Sequence, residues 1–233
     1  RGTWKNPPPK VGSIRPVGPR SFGPHPNVAI SGDGRKLVYA LRNAKRPTQR
    51  LLYSWTRGSK PKLIASNFVG DWYRGAVMSS DGRFVTSQYR VGRSNKLLRY
   101  DSSAGTYLDI SGKDGYDGAF DQSGDGRFTA YVNDWSDLTM VDAETGTRTV
   151  IADHKDMCDD RVAVGGSGDQ VTVAYWMCEP EEGSRLYVWD SASGARATAV
   201  TVTNSITQMS MTKDGRYVDY AQDSNRIEGR DIY

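Results

Sequence analysis

Five stretches of this 233-residue sequence are similar enough to one another to define a structural repeat. Four of them read Ser/Thr-x-Asp-Gly-Arg, and the remaining one carries Gly168-Asp169 at the equivalent place. Aligned on the residue after this pair, successive copies lie 48, 44, 43 and 46 residues apart, at Arg35, Arg83, Arg127, Gln170 and Arg216. A recurrence in this range is typical of repeat architectures, so it constrains the fold more than any single residue does.

Each copy is flanked by two runs of β-branched, aromatic and small residues, which is the pattern of a β-hairpin. We predict a three-residue loop in which the glycine has a positive φ and the Asp side chain bonds backbone amides of the turn. The same register would place Ser31 opposite Arg35 and Gly166 opposite Gln170. In the degenerate copy, Asp169 would take the left-handed position.

A second pattern follows three of the hairpins. It is an alternating strand, then Asp-x-x-x-Gly, then another strand, with the aspartates at Asp101, Asp142 and Asp190. This spacing indicates a tight turn between two antiparallel strands. Each repeat is therefore predicted to contain four antiparallel strands, and no 12-residue window has a convincing amphipathic helix pattern.

Four-stranded units of this length are typical of propeller blades. The motif Ser-x-Asp-Gly-Arg, followed by alternating apolar residues, resembles the repeat of the TolB-like propellers, which are related to the WD-repeat propellers. The resemblance covers residues 27 to 233 and implies an all-β fold, a five-bladed β-propeller of four-stranded antiparallel blades. Since that family usually has six or more blades, five blades indicate either a small closed ring or a piece of a longer chain.

Two segments are predicted. Residues 1–26 form a Pro-rich N-terminal segment that holds seven of the ten prolines, and residues 27–233 form the propeller as a single domain. The one plausible strand of the first segment runs from Lys10 to Arg15, and the last repeat stops after its third strand. We therefore predict that the N-terminal strand completes the last blade and closes the ring. No run of 18 apolar residues is present, so no membrane span is predicted.

The two cysteines, Cys158 and Cys178, lie in the fourth repeat. If the register predicted for that hairpin continues unbroken, they face each other at disulfide distance. The alternative is two free buried thiols. A disulfide would imply an oxidising compartment and hence a secreted or periplasmic protein. No Cys/His group has metal-ligand spacing, so neither a metal site nor a cofactor is predicted.

Charge divides the chain into two halves. Residues 1–100 contain 20 Lys+Arg and three acids, whereas the remainder contains 11 Lys+Arg and 24 acids, although the net charge is only +4. The first two blades are thus predicted to form a basic sector and the last three an acidic one. Such a field can steer partners and favour head-to-tail self-association. The alternative is that these charges are ordinary solvated surface residues and that the difference between the two halves arose by drift, without a function.

In propellers of the family that the repeat resembles, the loops between second and third strands and those between blades share one face, which usually binds partners. We call it the loop face. The candidate partner-binding residues on it are Arg42, Arg46, Arg90, Arg93, Trp72, Tyr73, Tyr116, Asp156, Asp159 and Asp160. The alternative for the aromatic residues is that they fill the space between blades.

No catalytic residue is selected by the sequence. Ser167 lies in a Gly-rich turn that is not a nucleophile elbow, and no pair of carboxylates stands out as a glycosidase pair. The pattern therefore favours a binding module for a protein or peptide partner over an enzyme. A propeller glycoside hydrolase and a carbohydrate-binding lectin are the alternatives. Nucleic-acid binding is disfavoured because the acidic blades would repel a duplex.

Overall fold

The computed structural model of the protein describes residues 28–43, 45–68, 75–91, 94–116, 118–133, 137–153, 157–179, 183–202, 206–223 and 230–232. These residues form β-strands, turns and one short 3-10 turn at Gly112–Asp114, and no α-helix occurs among them. The prediction of an all-β chain is therefore confirmed for this part of the protein.

The strands follow one another as antiparallel units, which we call blades 1 to 5 in chain order. Blade 1 contains β1 (Val28–Ile30), β2 (Lys36–Asn43), β3 (Arg46–Thr56) and β4 (Lys62–Phe68). Blade 2 contains β5 (Ala76–Met78), β6 (Phe84–Val91), β7 (Ser94–Asp101) and β8 (Thr106–Asp109). A single pairing of Phe68 with Tyr89 joins the two blades into one sheet.

The other three blades are separate sheets. Blade 3 contains β9 (Phe120–Gln122), β10 (Phe128–Val132), β11 (Leu138–Asp142) and β12 (Arg148–Ala152). Blade 4 contains β13 (Met157–Ser167), β14 (Gln170–Glu179), β15 (Gly183–Asp190) and β16 (Arg196–Val202). Blade 5 contains β17 (Ile206–Met211), β18 (Val218–Asp223) and β19 (Arg230–Ile232). The described part of blade 5 thus has three strands, and the five units agree with the five predicted repeats.

In four of the five blades, the first hairpin turn is held by the Ser or Thr and the Asp of the repeat motif. In blade 2, Ser79 Oγ donates to Asp81 Oδ1 at 2.6 Å, and the same carboxylate oxygen accepts the Arg83 N–H at 2.9 Å. Gly82 closes the turn with a φ of 67°, a region in which a Cβ is penalised. Blades 1, 3 and 5 repeat these bonds with Asp33, Asp125 and Asp214.

The register predicted for these turns was one residue off. The Ser31 N–H donates to the Lys36 carbonyl at 3.0 Å, so Lys36 is its partner instead of Arg35. In blade 4, Ser167 pairs with Gln170, which leaves a two-residue loop, and Gly168 has a φ of 61°. The left-handed position there belongs to the glycine because it has no Cβ, whereas the prediction had given it to Asp169.

In blades 2 and 3, the arginine of the motif joins the two turns of the blade. Arg83 donates from Nε and NH2 to Asp101, the aspartate of the second turn, with its shortest bond at 2.8 Å. In blade 3, Arg127 bonds Asp142 in the same way, at 2.7 Å from NH2. Asp101 also accepts the Ser103 N–H at 2.8 Å and so shapes its own Asp-x-x-x-Gly turn. These bonds confirm that the Asp, Gly and Arg of the motif have structural roles.

The hydrophobic core lies between consecutive blades. Val38, Leu52, Val85 and Tyr100 form the layer between blades 1 and 2. Equivalent layers separate the later pairs, around Phe120 between blades 2 and 3, around Tyr175 between blades 3 and 4, and around Trp176 between blades 4 and 5. Because each interface buries one face of two sheets, neighbouring blades stabilise each other.

Backbone hydrogen bonds also link the first turns of neighbouring blades, each N–H donating to a carbonyl in the following blade. They run from Gly32 to Ser80 at 2.7 Å, from Ser80 to Gly124 at 2.7 Å, from Gly124 to Gly166 at 2.9 Å and from Gly166 to Lys213 at 3.0 Å. We call this series the turn relay. Within the described residues, the Lys213 N–H has no backbone acceptor and the Gly32 carbonyl no backbone donor, so the sheets do not close there into a ring.

The closing strand predicted between Lys10 and Arg15 lies outside the described residues, as does the rest of the Pro-rich segment. The boundary between that segment and the propeller stays a prediction for the same reason. On the described side of the boundary, Val28 and Ile30 of β1 are 47% and 60% exposed. Blade 1 therefore begins with an apolar strand that its own sheet leaves open to solvent.

The register argument for the disulfide was wrong. Residues pair as Val162 with Tyr175 and as Met157 with Met177, with a β-bulge between these pairs. Cys158 and Cys178 each lie next to a residue of the Met157–Met177 pair, and the recorded pairing does not place them opposite each other. The side chains of both cysteines lie outside the described residues.

The state of the two cysteines stays a prediction that mass spectrometry can test. If they are bridged, the unreduced protein will have the mass of a form lacking two hydrogens and will not react with an alkylating reagent until it is reduced. Alkylation of both thiols in unreduced, denatured protein would show that the bridge is absent. It would also remove the argument from cysteine chemistry for an exported protein.

Candidate binding site

Four of the ten residues predicted for the loop face lie outside the described part of the chain. Trp72, Tyr73, Arg93 and Asp156 lie outside the described residues. The strand register places the backbone of four others at the end of their blades away from the Asp-Gly turns, although their side chains are not described. These four are Arg42, Arg46, Asp159 and Asp160.

Two predicted residues have described side chains. Arg90 lies near the end of β6, opposite Asn95, and is exposed. Tyr116 is only 3% exposed and packs edge-to-face on Phe120, with ring centroids 5.6 Å apart. Tyr116 therefore belongs to the core between blades 2 and 3, which is the alternative that the sequence left open for the aromatic residues.

A cleft of about 560 Å³ opens between blades 1 and 2 at the end that carries the Asp-Gly turns. We call this end the turn face and this pocket the inter-blade cleft. Its inner wall contains Val38, Met78, Val85 and Tyr100, which belong to the core between the two blades. A pocket of this size with apolar walls and a few charged groups is typical of ligand sites.

The rim of the cleft is basic. Lys36, Lys60, Lys62 and Arg83 line it, and Asp81 is the one acidic residue among its described lining residues. The Lys36 stem crosses from blade 1 to lie against Gly82, where an added Cβ would be 2.6 Å from Lys36 Cδ. Lys62 Nζ lies 3.4 Å from the Tyr100 hydroxyl of blade 2. Both lysines therefore extend from blade 1 towards blade 2.

Arg83 and Asp81 are already engaged by the protein. The hydrogen bonds of Arg83 hold the pKa of Asp101 well below its usual range, so this carboxylate is ionised beside the guanidinium at neutral pH. Partial burial raises the pKa of Asp81, but the hydrogen bonds from Ser79 and Arg83 outweigh it and lower the pKa overall. Arg83 is therefore paired with Asp101, whereas Asp81 keeps a negative charge that interacts electrostatically with Lys36 and Arg83.

The lysines are different. Within the described residues, no carboxylate lies within 4.0 Å of the ammonium groups of Lys36, Lys60 or Lys62. The positive charge of the rim is therefore carried mainly by these three side chains. Lys60 and Lys62 are exposed and Lys36 is partly buried, so their attraction for anions depends on the salt concentration.

Three serine hydroxyl groups at the cleft already donate hydrogen bonds within the protein. Ser59 Oγ donates to the Thr56 carbonyl at 2.7 Å, Ser102 Oγ to the Gly82 carbonyl at 3.4 Å, and Ser103 Oγ to Asp101 at 2.7 Å. The lysine ammonium groups are therefore the charged donors that remain at the cleft. Such a surface suits a ligand rich in negatively charged acceptors and carrying an apolar part, rather than one rich in hydroxyl groups.

Within the described ranges, no group of three or more His, Cys, Asp or Glu side chains could hold a metal ion. No helix in this part of the chain is long and apolar enough to cross a membrane. Asp121 of blade 3 accepts the Val164 N–H of blade 4 at 2.9 Å and so links two blades.

Sequence reasoning missed the inter-blade cleft because it placed function on the loop face. Lys36 and Arg83 had been assigned to the structural repeat, and Lys60 and Lys62 had not been singled out. The one available signal was the absence of acids between Asp33 and Asp71 in a stretch rich in lysine and arginine. That excess of charge could not be located without knowing that β4 and β6 are neighbours.

Comparisons with known proteins show the fold. No family model matches the chain, and no curated protein matches it in sequence. Among solved structures, it is similar to TolB from Acinetobacter baumannii, with 14% identity and a TM-score of 0.55 over 85% of this chain and 49% of that one. It is also similar to oligogalacturonate lyase from Vibrio parahaemolyticus, with 16% identity and a TM-score of 0.61 over 88% and 60%.

A third similar structure is a putative TolB from Agrobacterium tumefaciens, with 15% identity and a TM-score of 0.57 over 87% of this chain and 71% of that one. The chain thus spans about half the length of the first of these proteins and 60% of the second. At these identities, the likeness shows a TolB-like β-propeller fold. It is shared by proteins whose names indicate different functions, so the fold does not choose between them.

Proposed function

We propose that this protein is a binding module that recognises a protein or peptide partner bearing acidic side chains. The observation that carries the proposal is the basic character of blades 1 and 2. Residues 1–100 hold 20 Lys+Arg against three acids, and the described lysines of the inter-blade cleft lack ion-pair partners. Charges left without internal partners are available to a complementary surface.

The loop face is the first proposed contact. Arg90 is exposed at the end of blade 2, and the backbone of residues 42 and 46 lies at the same end of blade 1. We include Arg93 and the aromatic pair Trp72 and Tyr73 with these arginines, as the sequence predicted. The acidic residues 156, 159 and 160 would meet basic groups of the same partner across the face.

Similarity in fold to TolB structures supports a protein partner, and similarity to oligogalacturonate lyase supports the alternative of a glycoside-cleaving enzyme or a lectin. We favour the first because the available donors described at the inter-blade cleft suit anionic groups. Export to the periplasm or outside the cell is part of the proposal and rests on the disulfide prediction. Two further points stay predictions. One is that the protein does not bind nucleic acid, and the other is that it self-associates through the opposite charges of the two sectors.

Affinity capture from extracts of the producing organism tests the proposal, with bound proteins identified by mass spectrometry. We expect an acidic partner that is retained at about 50 mM salt and largely lost at about 500 mM, since screening weakens complementary charges. Arg90→Glu with Arg93→Glu should slow its association at least tenfold. The matched control, Lys213→Glu with Arg216→Glu on blade 5, changes the charge equally and should have little effect.

Two results would contradict the proposal. One is a partner whose retention does not depend on salt. The other is an equal loss of binding in the two variants, because an effect of net charge alone would then explain the result. Cleavage of an oligosaccharide by the purified protein would instead support the enzymatic alternative.

A further inference from the structure

The inter-blade cleft combines three features of a ligand site. It has a volume of about 560 Å³ between two sheets, an apolar wall, and three lysines whose ammonium groups have no described carboxylate within 4.0 Å. It lies on the turn face, away from the residues predicted for partner binding. Lys36 lies on β2, Lys60 lies in the connection between β3 and β4, and Lys62 lies on β4. The three lysines therefore line one side of the opening.

We propose that the inter-blade cleft binds an extended acidic peptide segment in which carboxylates alternate with apolar side chains. The proposal rests on the proposed function, since it takes the partner to be a protein or peptide, and it adds a second, specific site. Glu or Asp side chains of the segment pair with Lys36, Lys60 and Lys62. An apolar side chain between them enters the cleft towards Val85 and Tyr100.

The alternation follows from the geometry of the cleft. Side chains of an extended chain point alternately to opposite sides, so every second residue can face the apolar wall while its neighbours face the rim. Lys36 is held against Gly82 and Lys62 lies beside the Tyr100 hydroxyl, so the positions of two ammonium groups are restricted before a ligand arrives. A restricted donor loses less entropy on binding than a free one.

The engaged groups around the cleft support an anionic ligand over a sugar. Ser59, Ser102 and Ser103 donate their hydroxyl hydrogens within the protein. Arg83 is turned towards Asp101, which lies in the same turn as Ser103, so the Nε–NH2 edge of its guanidinium is already occupied. Recognition would therefore depend on ammonium groups and apolar contact, which suit carboxylates next to Leu, Val or Phe.

The test uses a fluorescently labelled synthetic peptide of sequence Glu-Leu-Glu-Val-Glu and measures its anisotropy with the full chain at about 50 mM salt, where screening is weak. We expect saturable binding that weakens at least tenfold when Gln replaces the three Glu residues of the peptide. Lys60→Glu with Lys62→Glu should weaken binding at least tenfold, whereas Lys60→Arg with Lys62→Arg should retain most of it. Lys213→Glu with Arg216→Glu is the charge-matched control and should bind like the parent protein.

The outcomes separate this inference from the proposed function. Failure of the parent protein to bind the acidic peptide, or equal binding of the Gln peptide, would overturn the inference. The inference would also be overturned if the variant Arg90→Glu with Arg93→Glu lost peptide binding while the variant Lys60→Glu with Lys62→Glu kept it. That result would instead show that the peptide binds at the loop face. Displacement of the peptide by millimolar inorganic phosphate would also overturn it, since the cleft would then bind anions in general.

Discussion

Replacing Gly165 with Ala should destabilise the protein by about 3 kcal/mol, because the added methyl group has no space. An ideal Cβ at this position would lie 2.4 Å from the Thr212 carbonyl oxygen and 2.5 Å from the Gly215 Cα. Both neighbours are backbone atoms of blade 5, so the clash can be relieved only by moving one blade against the other. That movement would also strain the adjacent bond from the Gly166 N–H to the Lys213 carbonyl.

Gly168→Ala in the same hairpin is the matched control. Gly168 has a φ of 61°, but no heavy atom lies within 4 Å of its ideal Cβ. The control should therefore cost only about 1 kcal/mol, the penalty for an alanine in the left-handed region. Denaturant titration of both variants measures the difference. Equal stabilities of the two variants would show that blades 4 and 5 do not approach each other as closely as described.

Asp142→Asn should remove a pH-dependent part of the stability. Arg127 hydrogen bonds lower the pKa of Asp142 from 3.8 to about 2, which means that folding favours the ionised carboxylate. The carboxylate therefore stabilises the folded protein fully above about pH 4 and loses this effect as the pH falls towards 2. Allowing for solvent screening, we expect Asp142→Asn to cost about 1 to 2 kcal/mol at pH 7.

The control for this variant is Asp169→Asn. Asp169 lies 3.3 Å from the same arginine, but its side chain is 94% exposed, so its replacement should have no measurable effect. Thermal unfolding between pH 7 and pH 2 should show the curves of the parent and Asp142→Asn converging at low pH. A constant difference across this range would show that the destabilisation has another cause than the loss of charge.

The blades could be predicted from the sequence because their turns have strict chemical requirements. Gly34, Gly82, Gly126 and Gly215 all have a positive φ, and a Ser or Thr hydroxyl bonds the Asp carboxylate in each of these turns. Such local bonds depend on residues close together in the chain. The order of strands within a blade follows from the short connections between them.

Register and packing between blades were harder to predict. A shift of one residue around Ser31 keeps the same turn residues, so composition alone does not exclude it. The bulge between Met157 and Val162 likewise has no local sequence signature, and it shifts the register on which the facing of the two cysteines was predicted. The role of Tyr116 was ambiguous because an aromatic residue in a loop can be buried or exposed, and only the neighbouring Phe120 and Tyr131 decide it.

The inter-blade cleft could not be predicted because it depends on residues far apart in the chain. Lys36 and Lys60 come from blade 1, whereas Tyr100 and Ser103 come from blade 2. Their distances follow from how the two sheets pack. The sequence did indicate that this part of the molecule would be basic, which is a property of composition and needs no register.

The proposed site lies between two blades and therefore requires that the turn relay fix the position of each blade relative to the next. Amide hydrogen exchange tests this requirement most directly. The N–H groups of Ser80, Gly124 and Gly166 donate to carbonyls of the next blade, whereas the Lys213 N–H has no backbone acceptor among the described residues. We expect strong protection of the first three amides and exchange of Lys213 that is faster by orders of magnitude. Protection of Lys213 equal to that of Gly166 would contradict the open arrangement of the blades, and rapid exchange of all four amides would contradict the relay itself.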